Sequence, residues 1–314
     1  MKKPVGVSKP VFLYMHLSFK EEIMVTQSTT ENSINIKKPK ISFEFFPPKT
    51  PEGRIKFDVE RDLLKAVSPS YFSVTYGAGG TTRDNTLETV LATQKATGIA
   101  TAPHLSCIGG ERQDLIKLIN TYKDNGVQRI VALRGDLPSG SGVFSGEFTY
   151  AKDLVKLIRE VAGDYFSIEV GAYPEMHPQA QSYNQDFLHF KAKVDAGATS
   201  AITQYFYNAS AYEHFMNLCN KHDIHIPIIP GIMPITNYSR LARFSQMCGA
   251  EIPRWLEKQL IAYGDDSQSI QQLGEEVVSR MVEELITLGA PGFHFYTLNK
   301  SAPSLAICKN TELI

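Results

Sequence analysis

Eight short apolar or β-branched runs recur along this chain, each followed by a longer segment whose apolar residues fall three and four positions apart. Strand-length runs alternating with helix-period segments admit few folds. The strands must be parallel and wound with helices, either closed into a barrel or left as an open sheet. The candidate strands are Ile41–Phe46, Tyr71–Tyr76, Thr101–Cys107, Arg129–Asp136, Ser167–Pro174, Ser200–Phe206, Ile226–Ile232 and Phe293–Asn299. Helical periodicity covers Gly53–Val67, Thr82–Thr97, Arg112–Asn125, Tyr150–Ala162, Asn184–Ala196, Ala209–His222, Tyr238–Gly249 and Ser267–Leu288, with an extra segment at Ile252–Tyr263. Gly126, Gly163 and Gly197 stand where helices should stop. Eight such units over about 250 residues match a single α/β domain, a (β/α)8 TIM barrel. A doubly wound open sheet is the alternative, but no GxGxxG follows any strand. The nearest approach, Gly77-Ala78-Gly79-Gly80, is either a phosphate cradle at a helix start or a plain turn.

The barrel pattern fills residues 40–314. Residues 1–39 read as a disordered extension: a short apolar patch is interrupted by His16, and a Ser/Thr/Asn-rich stretch follows Met24, a candidate translation start. A formal net charge of −1 gives no electrostatic case for a nucleic-acid partner. No apolar run is long enough to span a membrane. Four scattered cysteines without a CxxC pair suit a reduced compartment, so a cytoplasmic location is expected.

Barrel chemistry sits at the carboxyl ends of the strands. Glu44 lies between Phe43 and Phe45, so it points inward if they point outward. A lone inward carboxylate among aromatics should have its pKa raised by desolvation and can serve as a general acid. Other rim candidates are Thr75 and Tyr76, His104, Arg134 and Asp136, Tyr173 with Glu175 and His177, Gln204, Tyr296 and Asn299. Pro230-Gly231 is a place where backbone can approach a flat ligand. No lysine lies within a strand, as a Schiff-base aldolase needs, and His104, His177 and His294 stand singly, so no metal site is expected. A mouth of aromatics, amides, one acid and one Arg–Asp pair suits a planar heteroaromatic ligand.

The segments SFEFFPPKT, SVTYGAGG, APHLSC, ALRGDLPSGSG, AYPEMHP, KVDAGATSAITQYF, IIPGIMPITNY and FHFYTLNK, in this order, closely resemble the bacterial 5,10-methylenetetrahydrofolate reductases. The resemblance implies a TIM barrel that holds FAD without a Rossmann motif. It also implies a ping-pong reaction in which NADH or NADPH reduces the flavin and methylenetetrahydrofolate is then reduced to 5-methyltetrahydrofolate, supplying methyl groups for methionine synthesis. By the same resemblance Glu44 is the general acid that opens the methylene bridge to a 5-iminium cation. Asp136 supplies a negative charge that stabilises this cation and lowers the flavin potential. Thr75, Tyr76, Ala78, His104, Arg134, Gly135, Asp136, Tyr150, Tyr173, His177, Ala180, Asp186, His189 and Lys193 fall on FAD positions. Gln204, Tyr238, Tyr296, Leu298 and Lys300 fall on positions for folate or nicotinamide. A homo-oligomer is implied as well.

Several positions depart from the family pattern. Tyr238 stands where a phenylalanine is expected to stack on nicotinamide or on the folate benzoyl ring, and Lys300 replaces an arginine, losing a bidentate fork. His189 and Ala192 stand where Asn and Arg are expected. Two other readings keep the barrel: a non-redox pterin- or folate-binding transferase, and a flavin barrel resembling proline dehydrogenase.

Overall fold

A computed structural model of the chain describes residues 38–76, 82–135 and 147–314. Apart from Lys38 and Pro39, the expected N-terminal extension lies outside them. The strands are β1 (Lys40–Phe45), β2 (Tyr71–Val74), β3 (Thr101–Ser106), β4 (Arg129–Leu133), β5 (Ser167–Ala172), β6 (Ser200–Thr203), β7 (Ile228–Ile229), β8 (Gly231–Ile232) and β9 (Gly292–Tyr296). The helices are α1 (Pro51–Lys65), α2 (Thr82–Thr97), α3 (Arg112–Asp124), α4 (Ala151–Ala162), α5 (Tyr183–Asp195), α6 (Ala209–Lys221), α7 (Tyr238–Cys248), α8 (Arg254–Tyr263), α9 (Ser267–Thr287) and α10 (Ser301–Asn310).

Every strand pair is parallel, in the order β7-β6-β5-β4-β3-β2-β1-β9-β8. β7 and β8 are one stave of the barrel, broken at Pro230, which has no N–H to give a neighbour. β7 pairs with β6 and β8 with β9, and the His294 N–H donates to the Pro230 carbonyl at 2.9 Å, so this stave closes the ring. The expected barrel is the observed one, with its seventh strand divided.

Strand alternation separates two apolar zones. Phe43, Phe45, Phe72, Phe293 and Phe295 face the helices and are fully buried; Phe43 and Phe295 have ring centroids 5.6 Å apart, and Phe45 meets Phe57 of α1 at 4.9 Å. Inside the ring a smaller cluster, Tyr71, Ala102, Val131 and Ile202, fills the barrel. Below it Arg129 pairs with Glu169, which also accepts from Ser200 Oγ at 2.6 Å, so a buried carboxylate there is neutralised and hydrogen-bonded.

The observed strands stop short of several expected ends. Arg134, Tyr173 and Gln204 lie just beyond β4, β5 and β6, because residues that turn over the rim leave the ladder. α10 has no counterpart among the expected segments. Its Pro303 reads as a breaker, yet it occupies the first turn, where a missing N–H costs nothing. Gly126, Gly163 and Gly197, the expected helix stops, all take positive φ.

Gly231 is fixed by space. A Cβ there would lie 2.2 Å from the Thr203 carbonyl oxygen and 2.6 Å from the Tyr296 ring. Gly231→Ala should therefore destabilise the fold by about 1–3 kcal/mol, as overpacking does. A denaturation midpoint equal to that of the unaltered protein would contradict this closure.

Candidate active site

Parallel register sets the barrel interior. Glu44 pairs with Ser73 and Tyr296 across β1, and Ser42 pairs with His294, so Ser42, Ser73, Glu44 and His294 share the inward face. Glu44 Oε2 lies 3.3 Å from His104 Nε2 and 3.6 Å from His294 Nε2. Ser73 Oγ lies 3.3 Å from both of those nitrogens, and Ser42 Oγ is 2.8 Å from His294 Nδ1. The carboxylate is thus not alone among aromatics; two imidazoles bracket it. Nor do His104 and His294 stand singly, although the residues that join them, Glu44 and Ser73, lie on two other strands.

Burial pushes the His104 pKa below its usual value, against the opposing attraction of Glu44, and His294 adds to the depression. A neutral His104 can donate to the Glu44 carboxylate or accept from its carboxylic acid. Ser42 Oγ lies 3.3 Å from the Phe293 carbonyl and 2.8 Å from His294 Nδ1, so the far side of that imidazole is fixed and its Nε2 faces Glu44 and Ser73. Tyr296 closes the interior: its hydroxyl donates to the Thr203 carbonyl at 2.7 Å, and burial, with Glu44 nearby, holds its pKa well above the usual value.

Outside this cluster, over the ends of β4 and β5, lies a cleft of about 290 Å³. Arg134, Tyr150, Tyr173, His177, Ala180, Asp186, His189 and Lys193 line it, bringing together eight residues expected to hold a dinucleotide. Tyr150 precedes α4 with its N–H bound by Asp153 at 3.0 Å, and its ring stacks on His189 at 5.0 Å. Tyr173 meets His177 edge-on at 4.6 Å. Asp186 accepts from the His177 N–H at 2.8 Å, and Arg134 donates to Gln179 at 2.6 Å. Lys193 Nζ donates to the Gly171 carbonyl at 2.5 Å. Burial lowers the Lys193 pKa to about 8; Asp186 opposes the fall and Arg134 adds to it. Arg134, Lys152 and Lys193 all line this cleft, and cations gathered at one cleft, one of them stripped of water, suit an anion. Gly135 belongs to the same rim: its φ is +89°, and a Cβ would strike Ser106 Oγ at 1.9 Å.

The remaining expected residues are more dispersed. Thr75 and Tyr76 are half-buried just past β2, and Thr75 N–H donates to the Phe45 carbonyl at 2.9 Å. Gln204 follows β6, its Oε1 accepting from the Tyr205 N–H at 3.0 Å. Tyr238 opens α7, and the hydroxyl that separates it from phenylalanine donates to Glu257 of α8 at 3.1 Å. Leu298 and Asn299 carry φ of +50° and +58°, a strained pair held where the Asn299 amide grips both backbone groups of Phe46 at 2.8 and 2.9 Å. Lys300 is exposed before α10. Neither Tyr238 nor Lys300 lines the cleft. Ala78 and Asp136 lie outside the described residues. Sequence reasoning missed His294 as a neighbour of Glu44, and Ser42 and Ser73 as partners of the histidines; their available signal was strand parity.

A methylenetetrahydrofolate reductase family profile matches residues 29–312. The chain is 40% identical over 295 residues to the 5,10-methylenetetrahydrofolate reductase of Salmonella typhimurium, covering 94% of this chain and 96% of that one. It is 42% identical over 267 residues to that of Buchnera aphidicola subsp. Schizaphis graminum, covering 85% and 90%. The chain belongs to the methylenetetrahydrofolate reductase family. A solved Clostridium thermocellum protein described as binding two copies of 5-methyl-5,6,7,8-tetrahydrofolic acid shares the fold, with a TM-score of 0.62 at 18% identity over 87% of this chain and 94% of that one. Among the described residues, no helix is long and apolar enough to cross a membrane.

The Lys193 ammonium gives the cleft a pH dependence. The group is protonated below about 8 when the cleft is free, and a bound anion raises its pKa. Affinity for an anionic diphosphate ligand should be level below that pH and fall above it, as read by fluorescence titration. Lys193→Met should weaken binding and remove the step. A wild-type affinity that does not change with pH would contradict the assignment.

Proposed function

We propose that the chain is a flavin-dependent 5,10-methylenetetrahydrofolate reductase that takes its electrons from NADH or NADPH. One observation supports this reading above the others. Beside a cleft lined by Arg134, Lys152 and Lys193, the barrel encloses a carboxylate 3.3 Å from a histidine whose pKa burial lowers.

The residues of the cleft fit FAD. Arg134 and Lys193 would face its pyrophosphate, the stacked Tyr150–His189 pair offers a flat wall, and Gly135 lets backbone approach closely. When bound, FAD would supply a two-electron store that accepts hydride from the nicotinamide and passes it to the one-carbon bridge of the folate. Glu44, as the acid, would give its proton to N10 as the bridge opens, leaving the iminium at N5 ready for hydride. His104, 3.3 Å from Glu44 Oε2, would hold the carboxyl in place whether or not it carries the proton, with His294 packed 3.6 Å from the same oxygen. Asp136 follows Gly135 directly in sequence, and its negative charge would favour the cation. Gln204 would serve nicotinamide and pterin in turn, its amide oxygen fixed by Tyr205 and its NH2 group open to ligand. Tyr296 and Leu298 would form the folate side, with Tyr238 stacking and Lys300 meeting the tail carboxylates.

The protein should bind FAD stoichiometrically, bleach with NADH or NADPH under anaerobic conditions, and regain its colour on adding methylenetetrahydrofolate while forming 5-methyltetrahydrofolate. A colourless protein that binds folate would favour the transferase reading. A bleached flavin that folate fails to reoxidise would favour a different flavin barrel.

A further inference from the structure

Glu175 lies in the loop after β5, between Tyr173 and His177, and nothing in the reaction above uses it. Its Oε2 accepts the backbone N–H of Glu251, in the turn after α7, at 2.8 Å. A cavity of about 10 Å³, the size of one water, lies beside it, lined by Tyr173, Glu175, Gln204, Tyr205 and Cys248 among others. Tyr173 therefore has two sides. One faces the dinucleotide cleft and the other backs onto this small cavity.

A second link runs parallel to the first. The Tyr205 hydroxyl is 3.0 Å from Ser245 Oγ on α7, and the Tyr205 N–H holds the Gln204 amide oxygen. The carboxyl end of α7 thus braces two walls at once: the flavin-side wall through Glu175, and the substrate amide through Tyr205. Gly249 ends α7 with φ of +76°, and a Cβ there would lie 3.1 Å from Pro178, so the turn sits tightly under the same loop. A carboxylate half-buried at this point is desolvated for little structural return unless the bond it makes matters.

We infer that Glu175 is a positioning residue: by clasping the Glu251 amide it clamps the loop bearing Tyr173 and His177 to the end of α7, and so fixes the spacing between the flavin-side wall and Gln204. The inference rests on the folate-reductase reading. Its role is to keep one site fitted to two successive ligands, nicotinamide and pterin, which both pack between those walls. Glu175 touches neither, so its loss should appear in binding rather than in chemistry at saturation.

The test compares Glu175→Ala, Glu175→Gln and Glu251→Ala in the FAD-loaded protein by steady-state kinetics. Loss of this hydrogen bond beside a ligand wall should raise KM for both NADH and methylenetetrahydrofolate about five- to tenfold in Glu175→Ala, with kcat within about twofold. Glu175→Gln keeps an acceptor for the amide and should restore both KM values; Glu251→Ala keeps the N–H and should leave them unchanged. Unchanged KM values in Glu175→Ala would overturn the clamp, as would a Glu175→Gln variant that behaves like Glu175→Ala. Should Glu175→Ala fail to fold, the Gln variant decides: KM values raised about fivefold or more would overturn the clamp, and unchanged values would support it. If the wild-type protein turns over methylenetetrahydrofolate and only the clamp fails, the folate-reductase reading stands; if the wild type itself fails, that reading falls first.

Discussion

A carboxyl group inside a closed barrel is costly unless every polar atom around it is matched, and Glu44 shows how this barrel meets that cost. His104 and His294 approach the same Oε2, Ser73 touches both imidazoles, and Ser42 fixes the far side of His294. These five residues come from β1, β2, β3 and β9. The cluster exists only if the parallel register is kept and the ring is closed. A shift of one residue along any of these strands would turn its polar member out among the phenylalanines and an aromatic inward. Closure through the divided stave at Pro230 is therefore a condition of the chemistry, since it bonds to the strand that carries His294.

From that cluster outward, tasks separate by location. The interior holds the Glu44 carboxyl group between two imidazoles. The cleft over β4 and β5 gathers cations and flat rings. Between the two stand Tyr173 and Gln204, which line one small cavity together, Tyr173 lining the cleft as well. Helix α7 supports this boundary from behind, through Ser245 and the turn at Glu251. The same helix begins with Tyr238, whose hydroxyl is tied to α8, so the substitution of tyrosine at this position adds an anchor that a phenylalanine lacks.

Much of this was legible in the sequence because each stave carries its own local signal. Apolar runs of strand length, helix-period segments and stop glycines such as Gly126 need no distant partner to be read. The inward direction of Glu44 followed from Phe43 and Phe45 alone. Its surroundings did not, because His294 lies about 250 residues away in sequence, and register between β1 and β9 is a property of closure rather than of either strand. Strand ends were overextended at Arg134, Tyr173 and Gln204 for a related reason: residues that turn over the rim leave the ladder, while a β-rich composition continues past its last bond. α10 was hidden by Pro303, and the brace at Glu175 depends on a backbone amide, which leaves no mark in a sequence.

The claim on which the rest hangs is that Glu44 delivers the proton and does no part of the work with nicotinamide. Glu44→Gln preserves the shape of the cluster and removes the titrating group, so stopped-flow measurement of the two half-reactions separates the possibilities. Flavin reduction by NADH should stay within a few-fold of wild type. Reoxidation by methylenetetrahydrofolate should fall about a hundredfold or more, the usual contribution of a positioned general acid. Reoxidation at the wild-type rate would contradict the account.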